Sequence, residues 1–343
     1  MRKAFLAACM LAGATLPAQA WDYPGHRIVG AIADIVLQRD HPQIADKVKK
    51  LLELKTSTGA EQRTLRDAAV FPDCAKNEPD FCKRDPTLEE MKYVLRNNVH
   101  KQFHYTNSPM QQKTYLPGGF GTAEADVVQM ITHAATQLRS EDGKPNFKKN
   151  DVDLTDTEAV WLLAHLVGDI HQPLHVGQIY FDTTCERIVN PNVSRTIEAV
   201  TTLGGNAIAL TTGQQRNLHL YWDETTIKNA MTKEGVDKDE RAFAAKLAAT
   251  APPGWQTSGP IERWSEKWIE ETLPLTEEAY RLPIRHDRFG DRRPSFPVAT
   301  VSCGLNTAVP PTYEDWAAGV ARAQLAKAGY RLAAILVEAL KAK

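Results

Sequence analysis

Thr155-Asp-Thr-Glu158-Ala-Val-Trp-Leu-Leu-Ala-His165-Leu-Val-Gly-Asp169-Ile-His171-Gln-Pro173-Leu-His175 is the stretch on which the fold is read. Thr155 and Glu158 form a capping box, in which both side chains satisfy backbone N–H groups left unpaired at a helix start. Pro173 closes the run, because proline lacks the N–H a helix needs. The helix predicted over Thr155 to His171 is apolar nearly all round, with Val160, Leu162, Leu163, Leu166, Val167 and Ile170. Such a helix is buried. It nevertheless carries His165 and Asp169, four residues apart and therefore on one face. An ionised aspartate in that setting costs several kcal/mol unless something pairs with it. A divalent metal pairs with both side chains, and the turn at Pro173 brings His175 toward the same cavity.

The same helical rhythm recurs outward from this segment. Gly25 to Gln38 shows it through Ile28, Val29, Ile32, Ile35 and Val36. Ala45 to Leu54 and Ala123 to Leu138 are amphipathic. Glu262 to Tyr280 is helical in pattern, with Pro274 expected to break or kink it. Trp316 to Lys341 reads as the last helix. Two stretches break the pattern. Gln178 to Asn206 reads as a long loop with room for a small β-hairpin. Pro283 to Pro311, rich in Pro, Arg and Asp, reads as a surface excursion. Neither divides the chain into two self-sufficient halves. The expectation is an all-α fold, a single large helical domain over residues 21–343.

Residues 1–20 are expected to be a signal peptide of bacterial type. Arg2 and Lys3 precede an apolar run, and Ala18-Gln19-Ala20 is an A-x-A cleavage site. Leu6-Ala-Ala-Cys9 resembles a lipoprotein box, but only about five apolar residues precede Cys9, below the usual ~7–15. No other stretch approaches the ~20 apolar residues of a membrane helix. The expected location is therefore secreted or periplasmic, with no membrane partner and no protein partner implied. The formal net charge is −1. That excludes a broad Lys/Arg coat, so any phosphate-bearing substrate must be held by other means. Export frames the cysteines as well. Cys74, Cys82, Cys185 and Cys303 remain after cleavage, an even number suited to two disulfides in any of three pairings. Cys74 with Cys82 is the preferred short loop, leaving Cys185 with Cys303. No C-x-x-C pair exists, which argues against a thiolate metal site.

A second His–Asp pair repeats the spacing, His219-Leu-Tyr-Trp-Asp223. One such pair among ten histidines is ordinary, and usually marks a surface pair or a core histidine bonded to a carboxylate. Two pairs, one on a buried helix and followed by His175, point to metal. Imidazole and carboxylate ligands favour zinc.

Trp21-Asp-Tyr-Pro-Gly-His26, Phe71-Pro-Asp73, Phe103-His104-Tyr105, the His165–His175 block, Gly204-Gly205-Asn206 and Asn217-Leu-His219-Leu-Tyr-Trp-Asp223 occur in the order seen in one family. The chain resembles the single-strand-specific zinc nucleases of the S-one/P-one type, whose fold is shared with zinc-dependent phospholipases C. The likeness runs to the last helix, through Gln324-Leu-Ala-Lys-Ala-Gly-Tyr-Arg-Leu-Ala. It implies three Zn²⁺. Asp73, His104, His165 and Asp169 would hold the first, and His175, His219 and Asp223 the second. Trp21 and His26 would hold the third, with Asp169 bridging. Trp21 would ligate through its α-amino nitrogen and carbonyl oxygen, which requires cleavage after Ala20. Such a cluster carries about +3 net and can anchor phosphate without a basic surface.

The resemblance further implies endonucleolytic cleavage of single-stranded DNA and RNA to 5′-phosphate products, with 3′-nucleotidase activity on nucleotides as a companion. Asp73 would orient the attacking water or take its proton. Lys76 stands where the family often has an arginine; as a catalytic residue it would neutralise a phosphate oxygen without a bidentate fork, and its plain reading is a surface lysine. Tyr105 and Asn107 stand at the base pocket, where fungal members have an aromatic residue and an aspartate. His171 falls on the opposite helix face and reads as structural. His104 is preferred over His100 as a ligand, and His41, His133 and His286 read as surface residues. Two other functions remain open: a phospholipase C or phosphomonoesterase of the same fold, and a non-catalytic zinc-binding protein.

Overall fold

The computed structural model describes residues 21–56, 59–77, 80–140, 152–193, 199–213, 215–286 and 303–341. The leader expected at residues 1–20 lies outside them, as does much of the Pro283–Pro311 excursion. Helices dominate. In chain order they are α1 (Tyr23–Asp40), α2 (Pro42–Leu51), α3 (Leu65–Ala68), α4 (Phe71–Lys76), α5 (Leu88–Arg96), α6 (Val127–Arg139), α7 (Asp156–Asp169), α8 (Pro173–Val176), α9 (Leu218–Leu220), α10 (Thr226–Lys233), α11 (Glu240–Ala248), α12 (Trp264–Ala279) and α13 (Pro311–Leu340). A π-helical turn, Tyr221–Thr225, joins α9 to α10.

Helix α7 starts as its capping box dictates. Glu158 N donates to Thr155 Oγ1 at 3.2 Å, and Thr155 N to a Glu158 carboxylate oxygen at 2.8 Å. It packs against α1, α2, α3, α4, α6 and α13, which explains why it is apolar on every side. Burial of each large apolar side chain on it contributes about 1.5–3 kcal/mol. α13 runs through both apolar clusters, with Tyr313 and Ala317 in one and Ala318 and Ala321 in the other. It approaches α1 at Gly329, where a Cβ would lie 2.4 Å from Ile32; only glycine permits that contact.

The expected helices form with adjusted bounds. The second ends at Leu51, because Glu53–Thr56 (β1) pairs with Gly59–Gln62 (β2) as an antiparallel hairpin. α13 begins five residues before Trp316. Pro274 neither breaks nor ends α12. It sits on the exposed side, where water can satisfy the carbonyl one turn back.

The Gln178–Asn206 loop is more ordered than a lone hairpin. Ser108–Pro109 (β3) pairs in parallel with Gly177–Gln178 (β4). Tyr180–Phe181 (β5) is flanked by Ile188–Val189 (β6) and Val200–Thr201 (β7), both antiparallel. Ile208–Leu210 (β8), Arg285–His286 (β9) and Leu305–Thr307 (β10) form another small sheet with β10 central. The disulfides are Cys74–Cys82 and Cys185–Cys303, the second tying the β5–β6 turn to the start of β10. Among the described residues no helix is long and apolar enough to cross a membrane.

Candidate metal centre

Four elements converge at the C-terminal end of α7. α1 brings His26, α4 brings Asp73, the turn after residues 100–102 brings His104, and α7 brings His165 and Asp169. All five side chains are buried. His165 donates from Nδ1 to Ala69 O at 2.6 Å. That bond leaves Nε2 as the lone-pair nitrogen. It faces Asp169 Oδ2 at 3.3 Å, Asp73 Oδ1 at 3.6 Å and His104 Nδ1 at 2.9 Å. His26 stacks on His165 with ring centroids 3.6 Å apart, and its Nε2 lies 3.3 Å from the other Asp169 oxygen. The two carboxylate oxygens of Asp169 are thus shared between two neighbouring groups, His26–His165–Asp169 and Asp73–His104–His165.

A second cluster comprises His175, from α8, with His219 and Asp223, from α9 and the π turn. His175 donates from Nδ1 to His104 O at 2.8 Å, and His219 from Nδ1 to Gly204 O at 2.6 Å. With both Nδ1 atoms committed as donors, both Nε2 atoms carry lone pairs. They face one another at 3.1 Å, with Asp223 Oδ2 at 3.4 Å from His219 Nε2. Two lone pairs at that distance repel unless a cation lies between or beside them. The π turn, a feature common at functional sites, carries Asp223.

The charges are consistent with a cation site. Burial pushes the Asp73 carboxyl up, but the Lys76 ammonium and nearby imidazoles outweigh it and hold it at about 2. Burial lowers His104 and His219 to about 3 and His175 to about 4, so these imidazoles stay neutral and able to ligate. For His165 burial acts downward, yet Asp169 and Asp73 raise it above the usual value. Burial raises Asp223 strongly. Neither Asp169 oxygen nor Asp223 Oδ2 has a normal hydrogen bond among the described residues. Buried polar atoms left so are costly, and a divalent ion bound by oxygen and imidazole nitrogen fits this donor set.

Trp21 is fully buried, and its indole Nε1 donates to Gly168 O at 2.9 Å. That bond holds the start of α1 beside Asp169. Lys76 is not the surface residue its type suggests. It is 7 % exposed, with Nζ 2.8 Å from Asp73 Oδ1 one helical turn back. Tyr105 is exposed at the rim. Asn107 is held by its backbone, its N–H donating to Gly121 O and its carbonyl accepting from Tyr180 OH at 2.7 Å. His133 corrects the surface reading: it is buried on α6, whose residues face other elements on most sides. His100 is also buried, outside both clusters, while His41 is exposed. His286 falls in β9, at the edge of the described region.

His171 is buried away from both clusters. It donates from Nδ1 to Val167 O and accepts at Nε2 from Arg331, which pairs with Glu271. Sequence reasoning missed the groups that orient the ligands: Gln172, the carbonyls of Ala69, His104 and Gly204, and Gln178, whose Oε1 accepts from Gly204 N at 2.8 Å. The Gly204-Gly205 pair carried a detectable signal. The others did not.

Residues 21–341 match the family described as S1/P1 Nuclease. Endonuclease 4 of Arabidopsis thaliana is 28% identical over 134 residues, 38% of this chain and 37% of that protein. Endonuclease 1 of the same plant is 26% identical over 200 residues, 55% of this chain and 56% of that protein. Neither alignment spans two thirds of the relative.

Proposed function

This chain belongs to the S1/P1 nuclease family, and from that premise we propose that it is a secreted, zinc-dependent endonuclease acting on single-stranded DNA and RNA. The observation that carries the reading is the convergence of buried imidazole lone pairs and carboxylates, above all the facing Nε2 atoms of His175 and His219. Asp73, His104, His165 and Asp169 would hold one zinc ion. His175, His219 and Asp223 would hold a second. His26, Asp169 and the α-amino nitrogen and carbonyl oxygen of Trp21 would hold a third, once residues 1–20 are removed. Residues 21–343 then act as one domain. The relatives' printed names, endonucleases both, support the same activity.

Bound zinc would supply Lewis acidity, lowering the pKa of a water toward neutrality and neutralising phosphate charge. The protein's own groups do the positioning. Asp73 is held so acidic that it is a poor proton acceptor and a good orienting one. It would orient the attacking water by accepting its hydrogen bond as the bond to the leaving 3′ oxygen breaks. Cleavage there yields 5′-phosphate products, and the same geometry serves a 3′-nucleotide. Lys76, pinned by Asp73, presents a cation to a phosphate oxygen, without the two-pronged grip of an arginine. Tyr105 offers an exposed ring for a base to stack on. Asn107 offers both donor and acceptor to the base edge.

Metal analysis and hydrolysis should be read side by side on single-stranded DNA, RNA, a 3′-mononucleotide and a phosphocholine ester. About three zinc ions per chain and cleavage of the first two, lost in chelator and restored by zinc, are expected. Turnover of the phosphocholine ester alone would replace the reading with a phospholipase C, and bound zinc without turnover would make it a zinc-binding protein.

A further inference from the structure

Gln172 is fully buried between α7 and α8, and both ends of its amide are engaged. Its Oε1 accepts from Leu174 N, capping the four-residue helix that carries His175. Its Nε2 donates to Asp223 Oδ1 at 2.7 Å. The backbone continues the link: Gln172 N donates to Asp169 O at 2.9 Å, and His175 N to Gln172 O at 3.0 Å. The amide has one workable orientation. Reversed, it would set oxygen against the Asp223 carboxylate and an NH₂ group against Leu174 N–H.

Asp223 therefore has its two oxygens assigned. Oδ1 is taken by Gln172. Oδ2 has no hydrogen bond among the described residues and points to His219 Nε2. We propose that Gln172 is a positioning residue that fixes Asp223 as a one-oxygen ligand and places it against His175, so that the affinity of the His175–His219–Asp223 site depends on this amide. The inference rests on the zinc reading above. It goes beyond it by assigning control of one of the metal sites to a residue that touches neither metal nor substrate.

Two substitutions separate the two ends of the amide. Gln172→Glu keeps the volume and the acceptor that caps α8 but replaces the donor with a second carboxylate facing Asp223. Gln172→Met removes both polar contacts at similar length. Zinc per chain is measured by elemental analysis after equilibration across buffered free-zinc concentrations, together with the melting temperature in chelator. Loss of an orienting group typically weakens a metal site about 10–100-fold. Both variants are expected to weaken one site by that factor and the others by less, and both to lose stability in chelator, Gln172→Glu because two buried carboxylates would then face one another. If one variant fails to fold, the other decides. Wild-type zinc affinity at every site in a folded Gln172→Met, or an equal loss at all sites in either variant, overturns the assignment. A wild-type protein that binds no zinc overturns the zinc reading instead, so the two failures are distinguishable.

Discussion

Replacing Lys76 with methionine has opposite consequences for stability and for metal affinity. Lys76 Nζ lies 2.8 Å from Asp73 Oδ1, and both side chains are almost wholly removed from water. At an effective dielectric near 20, two unit charges at that separation attract by about 6 kcal/mol. Desolvation takes back part, and removing one partner of a buried pair typically costs about 3–5 kcal/mol. In chelator, Lys76→Met should therefore lose about 3 kcal/mol, because Asp73 is left buried beside neutral histidines. With zinc bound, Asp73 has a divalent partner and Lys76 becomes a like charge beside it. The loss should then fall below about 1 kcal/mol. Closing the cycle, zinc binds the variant about 2 kcal/mol more tightly, roughly thirtyfold. Turnover should nevertheless fall about tenfold or more if Lys76 faces phosphate as proposed. Urea unfolding of both proteins, with chelator and with saturating zinc, yields the four free energies, and kcat is read on single-stranded DNA. Equal destabilisation in both conditions would show that Lys76 does not share a charge environment with the metals, and the argument for its place in the centre would fail.

Gly204 has φ +60, and a Cβ there would sit 2.8 Å from Leu174 O. Gly204→Ala should cost about 1–2 kcal/mol for the left-handed backbone alone, and weaken the zinc site of His175 and His219 about 10–100-fold; unchanged zinc titration in a folded variant would contradict this. Glu90 is pushed up by burial but held down by Arg84 and Arg63, at about 2 against an ordinary 4.5. Its stabilisation is complete above the ordinary value and is lost as pH falls toward 2. Glu90→Gln should flatten the stability profile in that acid window by at most about 3 kcal/mol, less because Arg84 is partly exposed, and leave the shape of the profile above pH 5 unchanged. Tyr180→Phe removes the hydroxyl that holds the Asn107 carbonyl. KM should rise roughly fivefold, about 1 kcal/mol, with zinc content unchanged; an unaltered KM would take Asn107 out of the base pocket.

What was legible in the sequence follows from how each signal is encoded. α7 was legible because its cap and its all-round apolar surface are local properties of one segment. The His–Asp pairs were legible because four-residue spacing maps onto one helix face. α5 and α11 escaped because at nine residues each they span only about two and a half turns. β3 and β10 escaped because they exist through pairing with distant segments, Ser108 with Gly177 and Leu305 with Ile208. His133 was misread, and the surface alternative for Lys76 fails, for the same reason. Residue type predicts exposure only on average, and burial was decided by α6 facing its neighbours and by Asp73 standing one turn from Lys76.

The groups that the sequence concealed are also those that turn separate ligands into one centre. Three imidazoles are oriented by backbone carbonyls, and each carbonyl belongs to a segment that serves another ligand. Ala69, which holds His165, lies just before the helix that carries Asp73. His104 presents its ring to Asp169 while its carbonyl holds His175, so one residue ties the first cluster to the second. Gly204, which holds His219, packs against the carbonyl of Leu174, next to His175. His104 cannot shift without moving the carbonyl that orients His175. Because metal affinity depends on such orienting bonds as well as on the ligands themselves, filling one site should stiffen the next. Zinc should then load with positive cooperativity, and breaking any one of these links should cost more than a single ligand's share.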